Sequence, residues 1–264
     1  MKKRIIAALL IVALIACCLA VFASCNGKKT DAEYILGKGT LICGITLYEP
    51  MNYADDEGEM TGFDTEFAEM VCEKLGIKAK FQVIKWSSKE IELNSKYIDC
   101  IWNGFTVNEE RKQNVTFSQS YLNNTQCVVI KKANAAQFTD KASCAGKRAA
   151  AEAGSAGEDA ANEMNATVTP VAAQVTALTE VKSGTADFAV VDVILANSMV
   201  GKGDYSDLQI ATAIALESEE YAIGFRKGSD MAEKVNKIID ELLEDGTLLT
   251  IAQKYGVDGQ LITK

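Results

Sequence analysis

The stretch Asp99-Cys100-Ile101-Trp102-Asn103-Gly104-Phe105-Thr106-Val107-Asn108-Glu109-Glu110-Arg111 contains the transition on which the fold prediction depends. The apolar run 98–102 predicts a buried strand, and Asn108 can cap a helix that begins at Glu109. A polar loop, Asn103–Thr106, separates these two elements. A strand that leads through a polar loop into a helix is typical of α/β folds, in which ligands bind beyond the carboxyl ends of the strands.

The rest of the chain alternates in the same way between strand-like and helix-like segments. A serine stands four residues before an aspartate ahead of two predicted strands, at Ser95 and Asp99 and again at Ser183 and Asp187. The pattern predicts two similar α/β units with mainly parallel sheets. Further strands are predicted at 40–45, 80–84, 148–151, 188–191 and 220–225, and helices at 62–75, from about 158, at 175–181, from 231 and at 248–255.

The composition argues against several functions. The 264 residues include no histidine, which removes histidine bases, Ser-His and Cys-His nucleophilic sites and the commonest metal ligand. A formal net charge of −9 argues against binding to nucleic acid, whose phosphates attract positively charged surfaces. We therefore expect a globular protein that binds no nucleic acid, metal or other cofactor, and the composition favours binding over catalysis.

The first 24 residues have the pattern of an export signal. Met1–Arg4 carries three positive charges, Ile5–Ser24 carries none, and the sequence becomes polar directly after Cys25. Small residues before a cysteine at this boundary resemble a bacterial lipoprotein signal, so we predict that 1–24 are removed, that Cys25 is lipidated and that 25–33 form a tether. The alternative is an uncleaved anchor, because twenty apolar residues can span a bilayer. Both interpretations place the remainder outside the cell, attached to the membrane.

The cysteines after Cys25 are predicted to be buried free thiols. They are odd in number, form no C-x-x-C motif and lie mostly in apolar stretches, which argues against a disulfide framework or a zinc site. They are Cys43, Cys72, Cys100, Cys127 and Cys144.

Polar groups at two strand ends are predicted to bind the two ends of a free amino acid. Thr106, the backbone N–H beside Gly104 and the helix N-terminus after Asn108 can receive an anion, and the Arg111 guanidinium can bind a carboxylate through two hydrogen bonds. Asp192, directly after another predicted strand, can accept an ammonium group. The alternatives are a solvated helix residue for Arg111 and a helix cap for Asp192.

Several segments match one known family in their order and spacing. Over about 34–256 the chain resembles the amino-acid-type periplasmic or extracellular solute-binding proteins of ABC importers. The resemblance implies a type 2 periplasmic-binding-protein fold, with two hinged lobes, each a mainly parallel sheet flanked by helices, and the ligand in the cleft between them. The matching segments are Tyr48–Met51, Gly62–Phe67, Asp99–Arg111, Phe117–Tyr121, Gly154-Ser155, Asp187 with Asp192, and Asp245–Leu248.

The resemblance also implies where the chain passes between the lobes. Lobe 1 would comprise 34–127 and 220–264, lobe 2 would comprise 131–216, and the crossings would fall at 127–131 and 216–221. The lobes would close on the ligand, because only the closed state uses the contacts of both.

Individual site residues follow from the same resemblance. Thr106 and the Gly104 backbone would hold the α-carboxylate together with Arg111, and Asp192 would hold the α-ammonium group. Tyr48 and Trp86 match positions at which aromatic rings often enclose the ligand, the alternative being core packing. The predicted ligand-binding set is Tyr48, Trp86, Asn103, Gly104, Thr106, Arg111, Glu152, Ser155 and Asp192.

Glu152 bears on the choice of ligand. It matches a pocket-wall position that is often neutral in the family, and a carboxylate there suits a cationic or hydrogen-bond-donating side chain such as that of lysine, arginine or glutamine. The alternative is that Glu152 points to solvent.

The resemblance implies a monomeric, membrane-anchored binding component on the extracellular or periplasmic face. It would bind a free polar or cationic L-amino acid and deliver it to an ABC permease and its ATPase subunit. Two alternatives remain open: an amino-acid sensor or surface receptor, and an enzyme similar to cyclohexadienyl dehydratase, for which Glu152 is the candidate acid.

Overall fold

The computed structural model describes residues 29–263, so the predicted signal peptide and Cys25 lie outside the described residues. Within that range, no helix combines the length and the apolar character needed to cross a membrane. The strands of the described range are β1 Thr40–Ile45, β2 Tyr53–Ala54, β3 Met60–Thr61, β4 Lys78–Val83, β5 Cys100–Ile101, β6 Val115–Phe117, β7 Leu122–Lys131, β8 Arg148–Glu152, β9 Thr167–Val171, β10 Phe188–Asp192, β11 Leu208–Ile210, β12 Ser218–Tyr221 and β13 Gly224–Arg226.

The helices alternate with these strands as the sequence predicts. The α-helices of the same range are α1 Asp31–Lys38, α2 Phe63–Lys74, α3 Lys89–Asn94, α4 Glu109–Asn114, α5 Ala156–Glu163, α6 Gln174–Ser183, α7 Val193–Met199, α8 Met231–Glu244 and α9 Thr247–Lys254. Short 3₁₀ helices occupy Trp86–Ser88, Lys132–Gln137, Lys141–Cys144, Gly203–Tyr205 and Asp258–Gln260.

Two mixed sheets form the framework. The first has the order β4-β1-β5-β13-β6, and the second has the order β11-β7-β10-β8-β9 with β12 paired to β7. In each, one half is parallel (β4-β1-β5 and β10-β8-β9) and the other half is antiparallel. We call the first sheet with α1–α4, α8 and α9 the first lobe, and the second sheet with α5–α7 the second lobe.

The long strand β7 connects the two lobes. Its first part, 122–125, pairs with 218–221 of β12, and its second part, 126–131, pairs with β10 and β11 inside the second sheet. The segment 127–131, expected as the first crossing, therefore lies within the second lobe. The two lobes are connected through the antiparallel pair of segments 122–125 and 218–221.

Local sequence explains the elements that present the site. The Asn108 side chain accepts a hydrogen bond from the Arg111 N–H and starts α4, and Ser155 does the same for α5 through the Glu158 N–H. Gly62 precedes α2 with a φ of 122°, and a Cβ there would lie 2.2 Å from the Met51 carbonyl oxygen. Glycine is thus required where α2 begins.

The core is aromatic beneath the first sheet. The Phe67 ring packs edge-on against Trp102, with ring centres 5.1 Å apart, and against Tyr121 at 5.4 Å. The five cysteines within 29–263 are free and buried, as predicted. Cys43 and Cys100 lie opposite each other on β1 and β5, with their Sγ atoms 3.6 Å apart.

Candidate functional site

Eight of the nine predicted site residues line one cavity between the lobes, which has a volume of about 10 Å³. The exception is Tyr48. The first lobe contributes Trp86, Asn103, Gly104, Thr106 and Arg111, and the second lobe contributes Glu152, Ser155, Ala156, Gln174 and Asp192.

Arg111 is buried on the first-lobe wall of the cavity, with 6% of its surface exposed. Its guanidinium donates to the Thr106 carbonyl at 2.8 Å and to the Gly154 carbonyl at 3.4 Å, and it lies 4.8 Å above the Phe105 ring. Burial lowers the pKa of Arg111, and no carboxylate of residues 29–263 forms an ion pair with it. The solvated alternative is therefore wrong, and the guanidinium is suited to receive an anion.

The Asn103-Gly104 turn is held by side chains of its own lobe. The Asn103 amide exchanges hydrogen bonds with Thr46 and donates to Asn52, and the Gly104 N–H donates to Asp64 at 2.8 Å. The expectation that the Gly104 N–H holds a carboxylate is contradicted, because Asp64 already accepts that hydrogen bond. Gly104 is needed instead for its φ of 55° and for its contact with the Tyr48 and Tyr221 rings.

The two predicted aromatic residues have different positions. Trp86 lines the cavity and packs edge-on against Phe105, with ring centres 5.7 Å apart. Tyr48 lies behind the Asn103-Gly104 turn, and its hydroxyl is 3.1 Å from the Tyr221 hydroxyl. Only Trp86 of this pair reaches the cavity wall.

Asp192 is buried at the end of β10 and is surrounded by amide groups. Its carboxylate accepts hydrogen bonds from Asn124 at 2.9 Å, from Gln126 at 2.5 Å and from Gln174. Its side chain makes no capping bond to α7, so the helix-cap alternative is wrong. Burial raises the pKa of Asp192 in spite of these donors.

A second carboxylate, Glu219 on β12, shares these amide donors. It accepts from Thr106 at 3.1 Å and from Gln126 at 2.8 Å, and it also accepts from Asn124. Burial, followed by repulsion from Asp192, raises the pKa of Glu219. Sequence reasoning missed Glu219, since only the pairing of β7 with β12 brings it here.

Glu152 ends β8 on the second-lobe wall, with 2% of its surface exposed. Its Oε1 atom is buried without a hydrogen-bond partner among the described residues. Burial, followed by repulsion from Asp192, raises the pKa of Glu152 to about 8. The solvent-facing alternative is wrong, because the side chain faces the cavity.

Lys89 is the basic residue that sequence reasoning missed. It is 7% exposed, donates to the Gly154 carbonyl at 2.9 Å across the interlobe gap, and lies 5.0 Å above the Trp86 ring. Burial lowers its pKa to about 8. Its position in the short helix α3 gives no sequence signal, because the contact depends on the approach of the second lobe.

No group of three or more acidic or cysteine side chains in 29–263 is arranged to hold a metal ion. The arrangement instead has cations on the first-lobe wall and carboxylates on the second-lobe wall. Such a cleft can orient a small zwitterion by its two charges.

The chain is similar to known solute-binding proteins over most of its length. The model of bacterial extracellular solute-binding proteins, family 3, matches residues 41–258. The L-cystine-binding protein TcyJ of Escherichia coli (strain K12) is 30% identical over 91% of this chain and 93% of its own length. The arginine-binding extracellular protein ArtP of Bacillus subtilis (strain 168) is 30% identical over 97% of this chain and 98% of its own. A substrate-binding protein of an ABC uptake transporter from Streptococcus pneumoniae, solved with bound histidine, superimposes with a TM-score of 0.78 at 32% identity, covering 86% of this chain and 96% of that one.

Proposed function

Because this chain belongs to the bacterial extracellular solute-binding proteins of family 3 and has their two-lobed fold, we propose that it binds a free L-amino acid with a polar or cationic side chain between its lobes. It delivers this ligand to an ABC permease and its ATPase subunit. The ligand α-carboxylate contacts Arg111, and the α-ammonium group contacts Asp192.

One observation carries the proposal. Arg111 and Asp192 are buried on opposite walls of the same cavity, one without an ion-pair partner within 29–263 and the other held by amides. A zwitterion supplies the counter-charge for both. Hydrogen bonds to charged groups contribute about 1.5–3 kcal/mol each, so a few of them reach the roughly −8 kcal/mol of micromolar binding.

The remaining parts of the proposal concern location and assembly. The protein acts as a monomer on the outer face of the cell membrane, held there by a lipid on Cys25. This anchor is inferred from the sequence of the first 25 residues, which lie outside the described range.

The relatives named above are binding proteins by name, which favours binding over a dehydratase activity. A sensor would share the cavity but would lack a permease. Adjacent permease and ATPase genes favour the transporter; their absence favours the sensor.

A thermal-unfolding screen of the purified full chain with free L-amino acids, including cystine, tests the proposal. A ligand at 100 times its dissociation constant should raise the free energy of unfolding by about 2.7 kcal/mol, which appears as a higher unfolding temperature. If no amino acid shifts the transition at millimolar concentration, the proposed function is wrong.

A further inference from the structure

Building on the function proposed above, we propose that the ligand is a basic L-amino acid with a net charge of +1, whose side-chain cation binds Glu152. Three features of the cleft support this: the contacts of Glu152, the charges around the cavity and the chemistry of the groove that leads to it.

Glu152 is the acidic group of the cavity that lacks its full set of partners. Asp192 receives three amide hydrogen bonds, whereas the Oε1 atom of Glu152 is buried without a partner in the described range. A buried polar atom without a partner is costly, so a ligand that donates to it gains more than one that presents a methyl group. The nearby Lys89 does not fill this role, because its ammonium group contacts the Gly154 and Trp86 carbonyls and forms no ion pair with Glu152.

The charged residues of the cavity lining point to a cation in particular. One is basic, Arg111, and two are acidic, Asp192 and Glu152. The α-carboxylate and the α-ammonium group of the ligand match Arg111 and Asp192, so Glu152 is left without a counter-charge. A ligand of net charge +1 supplies that counter-charge and favours the ionised form of Glu152, whereas a neutral zwitterion does not, and uncompensated buried charge is strongly unfavourable.

The groove that adjoins the cavity carries mainly acidic residues among its charged side chains, which also favours a cationic ligand. It adjoins the cavity at Thr106 and Ala156, which line both. Its lining contains a single basic residue, Lys141. Negative potential in such a groove concentrates cations at the entrance and repels anions. The carboxylates of the lining are Glu110, Asp159, Glu163, Glu217 and Glu219.

Calorimetric titration of the purified full chain tests the proposal with two matched pairs of ligands. L-arginine is compared with L-citrulline, a neutral analogue of similar shape, and L-lysine is compared with L-norleucine. We expect at least one basic amino acid to bind about 100-fold or more tightly than its neutral analogue. If neither basic amino acid exceeds its neutral analogue by tenfold, the proposal is overturned.

The Glu152→Gln variant tests whether Glu152 causes the preference for basic over neutral amino acids. It should reduce the ratio of affinities below about tenfold, mainly through weaker binding of the basic amino acid. Glu73→Gln is the matched control, because Glu73 is an exposed residue of α2 that lines neither the cavity nor the groove, and it should keep the wild-type ratio. A wild-type ratio in Glu152→Gln would show that another group selects the cation. If Glu152→Gln does not fold, the wild-type titrations still decide between a basic and a neutral ligand.

The outcomes separate this proposal from the function on which it rests. If a neutral amino acid such as cystine or glutamine binds tightly and the basic ones do not, the amino-acid-binding function stands and the charge assignment fails. If no amino acid binds, both fail.

Discussion

The two walls of the cleft hold their charges in different ways. On the first-lobe wall, Arg111 and Lys89 donate to backbone carbonyls and lie over aromatic rings, so their positive charge is not cancelled by a neighbouring carboxylate. On the second-lobe wall, Asp192 is held by three amides, but Glu152 is not held in this way. The protein's own hydrogen bonds thus hold Arg111 and Asp192, the groups proposed for the α-carboxylate and the α-ammonium group. Glu152, the group proposed for the ligand side chain, keeps one oxygen atom without a partner in the described range.

The largest expected effect comes from removing the positive charge of the first wall. We expect Arg111→Ala to weaken amino-acid binding by about 100-fold or more, because truncating one member of a buried charge pair costs roughly 2–5 kcal/mol. Isothermal titration calorimetry measures the affinity, and circular dichroism checks that the variant is folded. Arg148→Ala is the control, since Arg148 forms a half-exposed ion pair with Asp187 outside the cavity. Equal affinities in the two variants would show that Arg111 is not the carboxylate receptor.

The second effect concerns the acidic groups. Burial raises the pKa of Glu152 to about 8 and that of Asp64 to about 7, so the folded state retains protons that the unfolded chain has lost above about pH 5. The free energy of unfolding of the unliganded protein should therefore fall as pH rises from about 5 to 8, with a slope of at most about 1.4 kcal/mol per pH unit for each group. The chain has no histidine to titrate in this window. The lowered pKa of Lys89 changes the free energy of unfolding only above about pH 8.

Urea unfolding at pH 5, 6, 7 and 8 measures this dependence. Glu152→Gln should reduce the slope between pH 5 and 8, and Glu163→Gln, an exposed acid outside the cavity, should leave it unchanged. Stability that is flat or rises with pH in this window would mean that Glu152 and Asp64 ionise as they do in water.

The sequence predicts those parts of the site that depend on local structure. The strand, the polar loop and the capped helix of 98–111 lie in one continuous segment, so the sequence alone places Thr106 and Arg111 at one sheet edge. The repeated Ser…Asp pattern also has a structural counterpart. Asp99 accepts the Ile42 N–H at 2.8 Å, and Asp187 accepts the Arg148 N–H at 2.9 Å, each joining its loop to the neighbouring strand.

The parts that could not be predicted depend on contacts between distant segments. The sequence predicts that the Gly104 N–H binds the ligand, but Asp64, forty residues earlier in the chain, accepts its hydrogen bond. Glu219 reaches the site through the pairing of β12 with β7, and Lys89 reaches it through the approach of the second lobe. Local sequence indicates which groups can form hydrogen bonds; the partner of each depends on the tertiary arrangement.

The smallest expected effect tests the place where the two walls meet. The Gly154 carbonyl accepts from both Lys89 and Arg111, and a Cβ at this position would lie 3.1 Å from the Ser87 Cα on the opposite lobe. Gly154 has a φ of 76° and Gly146 a φ of 73°, but nothing lies within 4 Å of a Cβ at Gly146. Alanine at either position should cost about 1–2 kcal/mol of stability through backbone strain. Only Gly154→Ala should also weaken amino-acid binding, by about tenfold or 1.4 kcal/mol, because it keeps the lobes apart. Calorimetry and urea unfolding of both variants measure the two quantities separately, and equal affinities would show that the lobes need not approach at Gly154 to hold the ligand.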